Sequence, residues 1–445
     1  MKPLRALTAL ALILALLAGC SGLSYENLYT LPRASEEYYG LQEALTGILE
    51  SGFNYAAPAS GARQEPVQLI DLDGDGTDEA VAFFRATDTG TVTIYILSQS
   101  GDEFSPSAVI EGAGTGVASV RYADLDGTGM LELIISYQVS ESVAQALQVY
   151  RYTGQEAASV ITTGCSHYEL WDLSGDGLQE LICLSGGGAD AGAMVECYGC
   201  QDGELQRLGE QYLHVSYDSL RQIRQGRITG ASAIVFSGVS AEGLLLTDVL
   251  TVDGGSLVTV SPRQEILSSA PIHSYYVYPD DLDGDGLLEI PETRQLDAYD
   301  EGSGAQWVID WYSLSASGSC RKVTTTYQNF GENWYLEIPA VWEDTLIIKA
   351  GDESTTVSTV TLYHSREDEP LQEILTIFTL RGSDRQQYAA DRGLTILVND
   401  NEMILAVSLP DAEPWDGSTD LSQISELFHY TRSGWSGDAS SAQDT

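Results

Sequence analysis

Carboxylates recur at a fixed spacing in four short stretches of this chain. Residues 71–79 read Asp-Leu-Asp-Gly-Asp-Gly-Thr-Asp-Glu, and related stretches begin at Asp124, Asp172 and Asp281. Every copy has Asp at position 1, Gly at positions 4 and 6, and Glu at position 9. Carboxylates at alternate positions of a tight loop point into one concave turn, and Ca²⁺ takes about six to eight such oxygens. The spacing therefore predicts a divalent cation held by oxygen ligands.

The four loops differ in how many carboxylates they carry. The second loop has Thr128 at position 5 and the third has Ser174 at position 3, whereas the first and fourth keep an acid at both positions. Fewer charged ligands predict weaker binding, and a Leu at position 7 offers only its backbone carbonyl. The candidate ligands are Asp71, Asp73, Asp75, Thr77 and Glu79; Asp124, Asp126, Thr128 and Glu132; Asp172, Ser174, Asp176 and Glu180; and Asp281, Asp283, Asp285, Leu287 and Glu289.

The residues after each loop indicate what positions it. The spacing is similar to the first half of an EF-hand loop, but an EF-hand places its last Glu at position 12 and continues into a helix. Here apolar runs at 80–84, 133–135 and 181–184 predict buried strands. The predicted unit is strand, calcium loop, strand. Acidic hairpin turns without metal are the alternative, and four copies with the same ligand positions favour the metal.

The loops recur with a period that predicts the fold class. Their first residues, 71, 124, 172 and 281, are 53, 48 and 109 residues apart, so a degenerate copy is expected near residue 225. That segment keeps glycines and a trailing apolar run but has no carboxylates. A second strand pattern follows each copy, for example at 90–97 and 146–152. About five repeats of ~53 residues predict a mainly β protein, a β-propeller with calcium-binding hairpin loops.

These loops and their phase resemble the FG-GAP/VCBS repeats of integrin-α-type propellers. The resemblance covers about residues 64–319 and implies a propeller, placed at 64–324, in which the carboxylates named above hold structural Ca²⁺ in individual blades. After about residue 318 the period and the loop motif both stop, which predicts a C-terminal β or α+β domain at 325–432. Additional blades are the alternative there. Helical spacing predicts a helix within 36–49 and another at 421–430, and residues 433–445 are expected to be a disordered tail.

The first residues have the pattern of a processing segment. Lys2 and Arg5 precede an apolar run that is too short for an ordinary membrane span, and residues 17–20 read Leu-Ala-Gly-Cys. This sequence resembles the lipobox of bacterial lipoproteins. The resemblance implies removal of residues 1–19, acylation of Cys20 and a lipid anchor on the extracytoplasmic face of a bacterial membrane. Residues 20–63 would then form a tether that contains the short helix.

Composition limits the classes of partner. The net charge of −44 disfavours nucleic acid, which needs basic patches. The spacing of Cys197 and Cys200 suggests a local disulfide or buried thiols rather than redox catalysis, since no thioredoxin-like helix follows. Cys165 and Cys183 could pair across the third hairpin, and Cys320 completes the set.

The sequence predicts the function of this protein less well than it predicts the fold. No catalytic residue stands out, because the five histidines are scattered and acidic residues are too abundant for any pair to be informative. The favoured hypothesis is a cell-surface lipoprotein, more a binding or scaffold module for a protein or glycan than an enzyme. The alternatives are an extracellular enzyme acting on polysaccharide and an accessory subunit of an envelope assembly.

Overall fold

A computed structural model describes residues 39–139, 146–186, 192–261, 267–367, 369–411, 417–430 and 436–437. The predicted signal segment, Cys20 and most of the predicted tail lie outside these residues. The described chain is mainly β, as predicted. It contains six antiparallel sheets of four or five strands, which are consistent with propeller blades. The helices are α1 (Tyr39–Glu50), α2 (Ala340–Glu343), α3 (Arg385–Asp391) and α4 (Leu421–Leu427).

The first sheet contains the first acidic loop. In it β1 and β2 pair with successive halves of β3, which continues through β4 to β5. Residues 80–84 of β3 are fully buried, as the apolar run predicts. The strands are β1 (Phe53–Tyr55), β2 (Val67–Ile70), β3 (Glu79–Ala86), β4 (Val92–Ser100) and β5 (Glu103–Glu111).

The second and third sheets repeat a four-stranded meander. In each sheet consecutive strands are neighbours, and the acidic loop connects the first strand to the second. The strands of the second sheet are β6 (Gly116–Ala123), β7 (Glu132–Gln138), β8 (Ala146–Tyr152) and β9 (Ala157–Gly164). Those of the third are β10 (His167–Trp171), β11 (Glu180–Ser185), β12 (Met194–Gln201) and β13 (Glu204–Tyr212).

The fourth sheet contains the degenerate copy expected near residue 225. Its first two strands form a hairpin that turns at Gly230, whose φ of 90° favours glycine. A tight turn thus replaces the acidic loop, and no cation is needed to close it. The strands are β14 (Leu220–Ile228), β15 (Ala231–Val239), β16 (Leu245–Asp253), β17 (Ser256–Thr259) and β18 (Leu267–Ser269).

The fifth sheet combines the fourth acidic loop with chain from beyond the predicted propeller. Its strands are β20 (Glu289–Gln295), β21 (Trp307–Leu314), β22 (Cys320–Asn329), β23 (Trp334–Ile338) and β29 (Phe428–Tyr430). The predicted boundary at 324/325 therefore falls inside β22, while the separate C-terminal domain itself stays a prediction. The helix predicted at 421–430 ends at Leu427, because the next three residues pair with β23.

The remaining strands form the sixth sheet and a two-stranded ladder. In the sixth sheet the order is β24, β25, β26, β28 and β27, and its apolar residues pack with β23 and α4 in one core. The ladder pairs β19 (Tyr276–Val277) with β30 (Ser436–Gly437), within the predicted tail. The sixth-sheet strands are β24 (Leu346–Ser354), β25 (Val357–His364), β26 (Gln372–Arg381), β27 (Thr395–Asn399) and β28 (Met403–Ser408).

Helix α1 lies within the predicted range of 36–49 except that it extends one residue further, to Glu50, and it packs on the first sheet. Leu41, Leu45 and Ile48 share a core with residues of β3 and β4. Near its start, Gly40 approaches the backbone so closely that a Cβ would lie 2.0 Å from the Asp102 carbonyl oxygen. Gly47, by contrast, has nothing within 4 Å of a Cβ. One helix therefore contains a glycine required by packing and one that is free.

We expect Gly40→Ala to destabilise the protein by about 1–3 kcal/mol, because the helix must move off β5 to relieve the overlap. Gly47→Ala is the matched control and should stabilise by about 0.5–1 kcal/mol, since alanine is the better helix former. Urea unfolding of both variants measures the difference. Equal effects of the two substitutions would contradict this packing.

The described chain divides into two compact units. The first comprises the described residues up to Ser119 together with Tyr152–Ala157, and the second comprises Val120–Arg151 and the described residues from Ala158 onward. No helix in the described ranges is long and apolar enough to cross a bilayer. Cys165, Cys183 and Cys197 are buried, and all five described cysteines are free thiols.

Candidate metal centres

The first aspartate of each loop holds the loop closed. Asp71 accepts hydrogen bonds from the backbone amides of Gly74 (2.8 Å) and Gly76 (3.0 Å) through its two oxygens. Both glycines have positive φ, 74° and 89°, which the tight curl requires. Asp124, Asp172 and Asp281 make the same pair of bonds in their loops. Each carboxylate oxygen has two lone pairs, so these bonds leave capacity for a cation.

The acids at positions 3 and 5 each accept from the amide two residues later. Asp73 accepts from the amide of Asp75 at 3.3 Å, and Asp75 accepts from that of Thr77 at 2.7 Å. The fourth loop repeats both bonds through Asp283 and Asp285, the latter bonded to the amide of Leu287. In the third loop only Asp176 makes such a bond, since Ser174 replaces the other acid.

The glutamate at position 9 is buried in every loop. Glu79, Glu132, Glu180 and Glu289 are at most 3% exposed. Each accepts a hydrogen bond from the backbone amide at position 2, at distances of 2.7–3.0 Å. The sequence predicts this residue as a ligand, but it does not predict this bond, which ties the end of the loop back to its start.

Burial and neighbouring acids make these glutamates hard to ionise. Burial raises the pKa of Glu79 to about 7, although the Leu72 amide lowers it. Repulsion by Asp73, Asp75 and Asp71 raises it further. The pKa of Glu289 is also raised to about 7, by burial and then by its own loop aspartates. A cation beside these carboxylates would relieve both effects.

Three of the loops bring carboxylates together as a cation would need. The groups are Asp71, Asp73 and Glu79; Asp124, Asp126 and Glu132; and Asp281, Asp283 and Asp285, each with ligand oxygens within 4.8 Å of one another. Among the described residues, the acids of the third loop do not converge in this way. A donor set made only of carboxylate oxygens fits a hard cation, so these clusters could bind a metal such as Ca²⁺.

One cluster already contains a positive charge that sequence reasoning missed. In the second loop the guanidinium of Arg151 pairs with Asp126 and with Glu132, whose Oε1 lies 3.1 Å from Nε. Arg151 belongs to β8, 19 residues after Glu132. Only the register of β7 and β8 reveals the contact, because Leu133 faces Tyr150 and Glu132 is therefore opposite Arg151.

A cavity of about 400 Å³ lies in the second unit, and none of its lining residues belongs to an acidic loop. Tyr335 stacks on His429 with ring centroids 4.9 Å apart, and Phe428 meets Tyr430 edge to face. Nε2 of His429 lies 2.8 Å from Glu337 Oε1. The cavity thus combines aromatic faces with polar groups. Its other lining residues are Leu397, Val398 and Ser425.

Comparison with known families supports the predicted repeat. Residues 65–135 match the FG-GAP-like repeat, a range that includes the first two acidic loops. The chain therefore carries an FG-GAP-like repeat, as the sequence predicts. No curated protein matches the chain.

Solved structures give only distant likenesses. A Bacillus licheniformis rhamnogalacturonan lyase is 11% identical, with a TM-score of 0.28 over 80% of this chain and 72% of its own. The Aleuria aurantia lectin, in complex with α-methyl-L-fucoside, is 12% identical, with a TM-score of 0.23 over 83% and 99%. A Lactobacillus plantarum protein is 10% identical, with a TM-score of 0.27 over 71% and 85%. Scores this low bear on neither fold nor function.

Proposed function

We propose that this protein, with its FG-GAP-like repeat, is a cell-surface binding module whose sheets act as β-propeller blades stiffened by Ca²⁺. The observation that supports it is the repeated loop, in which one aspartate bonds two glycine amides and further carboxylates lie beside it. In the first loop Asp71, Asp73 and Glu79 would hold the ion. Ca²⁺ supplies charge neutralisation there and no reaction step.

The ion would act on stability through the hairpins. Each loop precedes a buried strand, so a cation that fixes the loop also fixes the entry of that strand into its sheet. Without the ion, burial raises the pKa of Glu79, and repulsion by the other acids of the loop raises it further. A rigid scaffold of this kind suits binding, because binding residues are held by packed elements rather than by mobile loops.

The cavity beside β23 and β29 is the proposed ligand site. Its volume of about 400 Å³ is that of a small-molecule cleft rather than of a protein interface. Aromatic rings offer faces to the C–H side of a sugar ring, while Ser425 and His429, which also line the cavity, offer polar groups to its hydroxyls. The net charge of −44 disfavours anionic ligands. We therefore propose an uncharged glycan as the ligand.

Tyr430→Ala tests this site, because Tyr430 is 47% exposed and its loss should leave the fold intact. We expect at least a tenfold loss of affinity for the best neutral oligosaccharide of a glycan array, measured by titration calorimetry. Tyr212→Ala, at a tyrosine 59% exposed elsewhere, is the control and should bind normally. Equal binding by the wild type and both variants would show that the cavity is not the ligand site. Cleavage of the bound glycan would instead favour the enzymatic alternative.

Attachment to a membrane through Cys20 is the last part of the proposal. The lipobox resemblance implies acylation of the Cys20 thiol, and because one acyl chain binds a membrane only weakly, stable anchoring would need a second membrane-binding signal. We expect Cys20→Ala to move the full-length protein from the membrane fraction to the soluble fraction of its bacterial host. Retention of the variant on membranes would contradict the lipid anchor.

A further inference from the structure

We infer that Arg151 is the built-in cation of the second loop and that this loop therefore takes no Ca²⁺ in the intact protein. The inference rests on the proposal that the first and fourth loops bind Ca²⁺. It assigns different chemistry to loops that share one sequence motif. It also names the single side chain responsible for the difference.

The contacts of Arg151 involve two of the three clustered acids of that loop. Its guanidinium pairs with Asp126 at position 3 and Glu132 at position 9, and the side chains of these acids are only 1% and 0% exposed. The Arg151 side chain is 27% exposed. Two buried carboxylates need a counter-ion. Arg151 supplies one from within the chain.

In the other three sheets with an acidic loop, the residue opposite the position-9 glutamate on the neighbouring strand is small. Strand register places Ser313 directly opposite Glu289. Ala80 faces Leu97 and Leu181 faces Tyr198, so one residue further along each pair Ser98 lies opposite Glu79 and Gly199 opposite Glu180. At Gly199 even a Cβ would lie 2.9 Å from Glu180 Cγ. Among the four acidic loops, only the second therefore has a charged residue opposite its buried glutamate on the neighbouring strand.

The burial of the aspartate at position 3 agrees with this difference. Asp126 is buried under Arg151, whereas Asp73 is half-buried and Asp283 is exposed. A divalent ion at the second loop would have to displace the guanidinium or lie beside it, and like charges repel at that distance. The second loop also lacks an acid at position 5, where it has Thr128. It thus has both an internal cation and fewer ligands.

The loops therefore differ in whether they need calcium to keep their geometry. The second hairpin keeps its geometry whether or not calcium is present, because two of its three clustered carboxylates already pair with Arg151. Calcium dependence is confined to the first and fourth loops. A fall in external calcium would loosen those hairpins and leave the second one closed.

Counting bound Ca²⁺ by titration calorimetry tests the inference on the full chain. Arg151→Ser gives the second loop the residue found opposite Glu289, and we expect it to bind one more ion than the wild type. Ser313→Arg should bind one fewer, by the reverse exchange. Arg151→Lys keeps the charge and should bind the wild-type number.

The outcomes separate this inference from the proposed function. If the wild type binds no Ca²⁺, the calcium proposal itself is refuted. If the wild type binds Ca²⁺ and folded Arg151→Ser binds the same number of ions, only the role of Arg151 is refuted. If that variant does not fold, hydrogen exchange of the wild type decides. Calcium should slow exchange of the Gly284 and Gly286 amides and leave those of Gly127 and Gly129 unchanged; slowing at both loops would overturn the inference.

Discussion

Chelating calcium is expected to lower the midpoint of thermal unfolding by about 5–10 °C relative to a calcium-saturated sample. A ligand at roughly 100 times its Kd adds about 2.7 kcal/mol per site to the free energy of unfolding. Two or three such sites, set against an unfolding entropy of about 2 cal/mol/K per residue in a chain this long, give a shift of that size. Differential scanning calorimetry with EGTA or excess Ca²⁺ measures it. Magnesium is the control, since it demands stricter geometry and should stabilise less.

The calcium effect should also grow with pH. In the metal-free protein the pKa values of Glu79 and Glu289 are raised from 4.5 to about 7. The folded state then holds more protons than the unfolded state, so this contribution to stability is complete below pH 4.5 and is lost as pH rises through about 7. Calcium replaces those protons. The gap between the calcium-loaded and chelated midpoints should therefore be larger at pH 8 than at pH 5.

A double variant separates the pH dependence caused by these two glutamates from that caused by the other acidic residues. Glu79→Gln with Glu289→Gln removes both titrating groups, so the chelated double variant should lose less stability between pH 5 and pH 8 than the chelated wild type. A calcium gap that is independent of pH in the wild type would show that these glutamates do not respond to the ion.

Asp281→Asn is expected to reduce calcium affinity at the fourth loop at least tenfold and to lower the unfolding midpoint in calcium. The change removes a charged ligand and one acceptor for the amides of Gly284 and Gly286. Charged ligand count is a main determinant of affinity in such loops. Titration calorimetry and calorimetric scans of the same samples give both values.

Asp124→Asn is the control for that variant. Asp124 occupies the same position in the second loop and makes the same two bonds, to Gly127 and Gly129. Because Arg151 already pairs with Asp126 and Glu132 of that loop, the control should weaken the backbone bonding without losing a calcium ion. Equal losses of calcium affinity in both variants would mean that the two loops bind metal alike.

Sequence reasoning found the repeating hairpins because everything they need is local. The glycines that curl each loop, the aspartate that closes it and the apolar run that follows lie within about a dozen residues, and the structure places them as neighbours. The degenerate copy near residue 225 was found in the same way, because its hairpin keeps the turn glycine and the buried strand.

The missed features depend on contacts between distant parts of the chain. Arg151 reaches Glu132 only through the pairing of β7 with β8. The aromatic cavity joins Tyr335 to His429, and neither neighbourhood has a motif. The last helix ended early for a similar reason, since Phe428–Tyr430 has helical spacing but pairs with β23 instead. Local sequence patterns predicted the loops, whereas strand register determines which side chain of the neighbouring strand faces each loop.

The most direct measurement is the anomalous difference density of crystals grown with Ca²⁺. We expect calcium peaks among the carboxylates of Asp71, Asp73 and Glu79 and among those of Asp281, Asp283 and Asp285, with none between Asp126 and Glu132. Crystals soaked in excess Ca²⁺ that show no peak in either the first or the fourth loop would contradict the account.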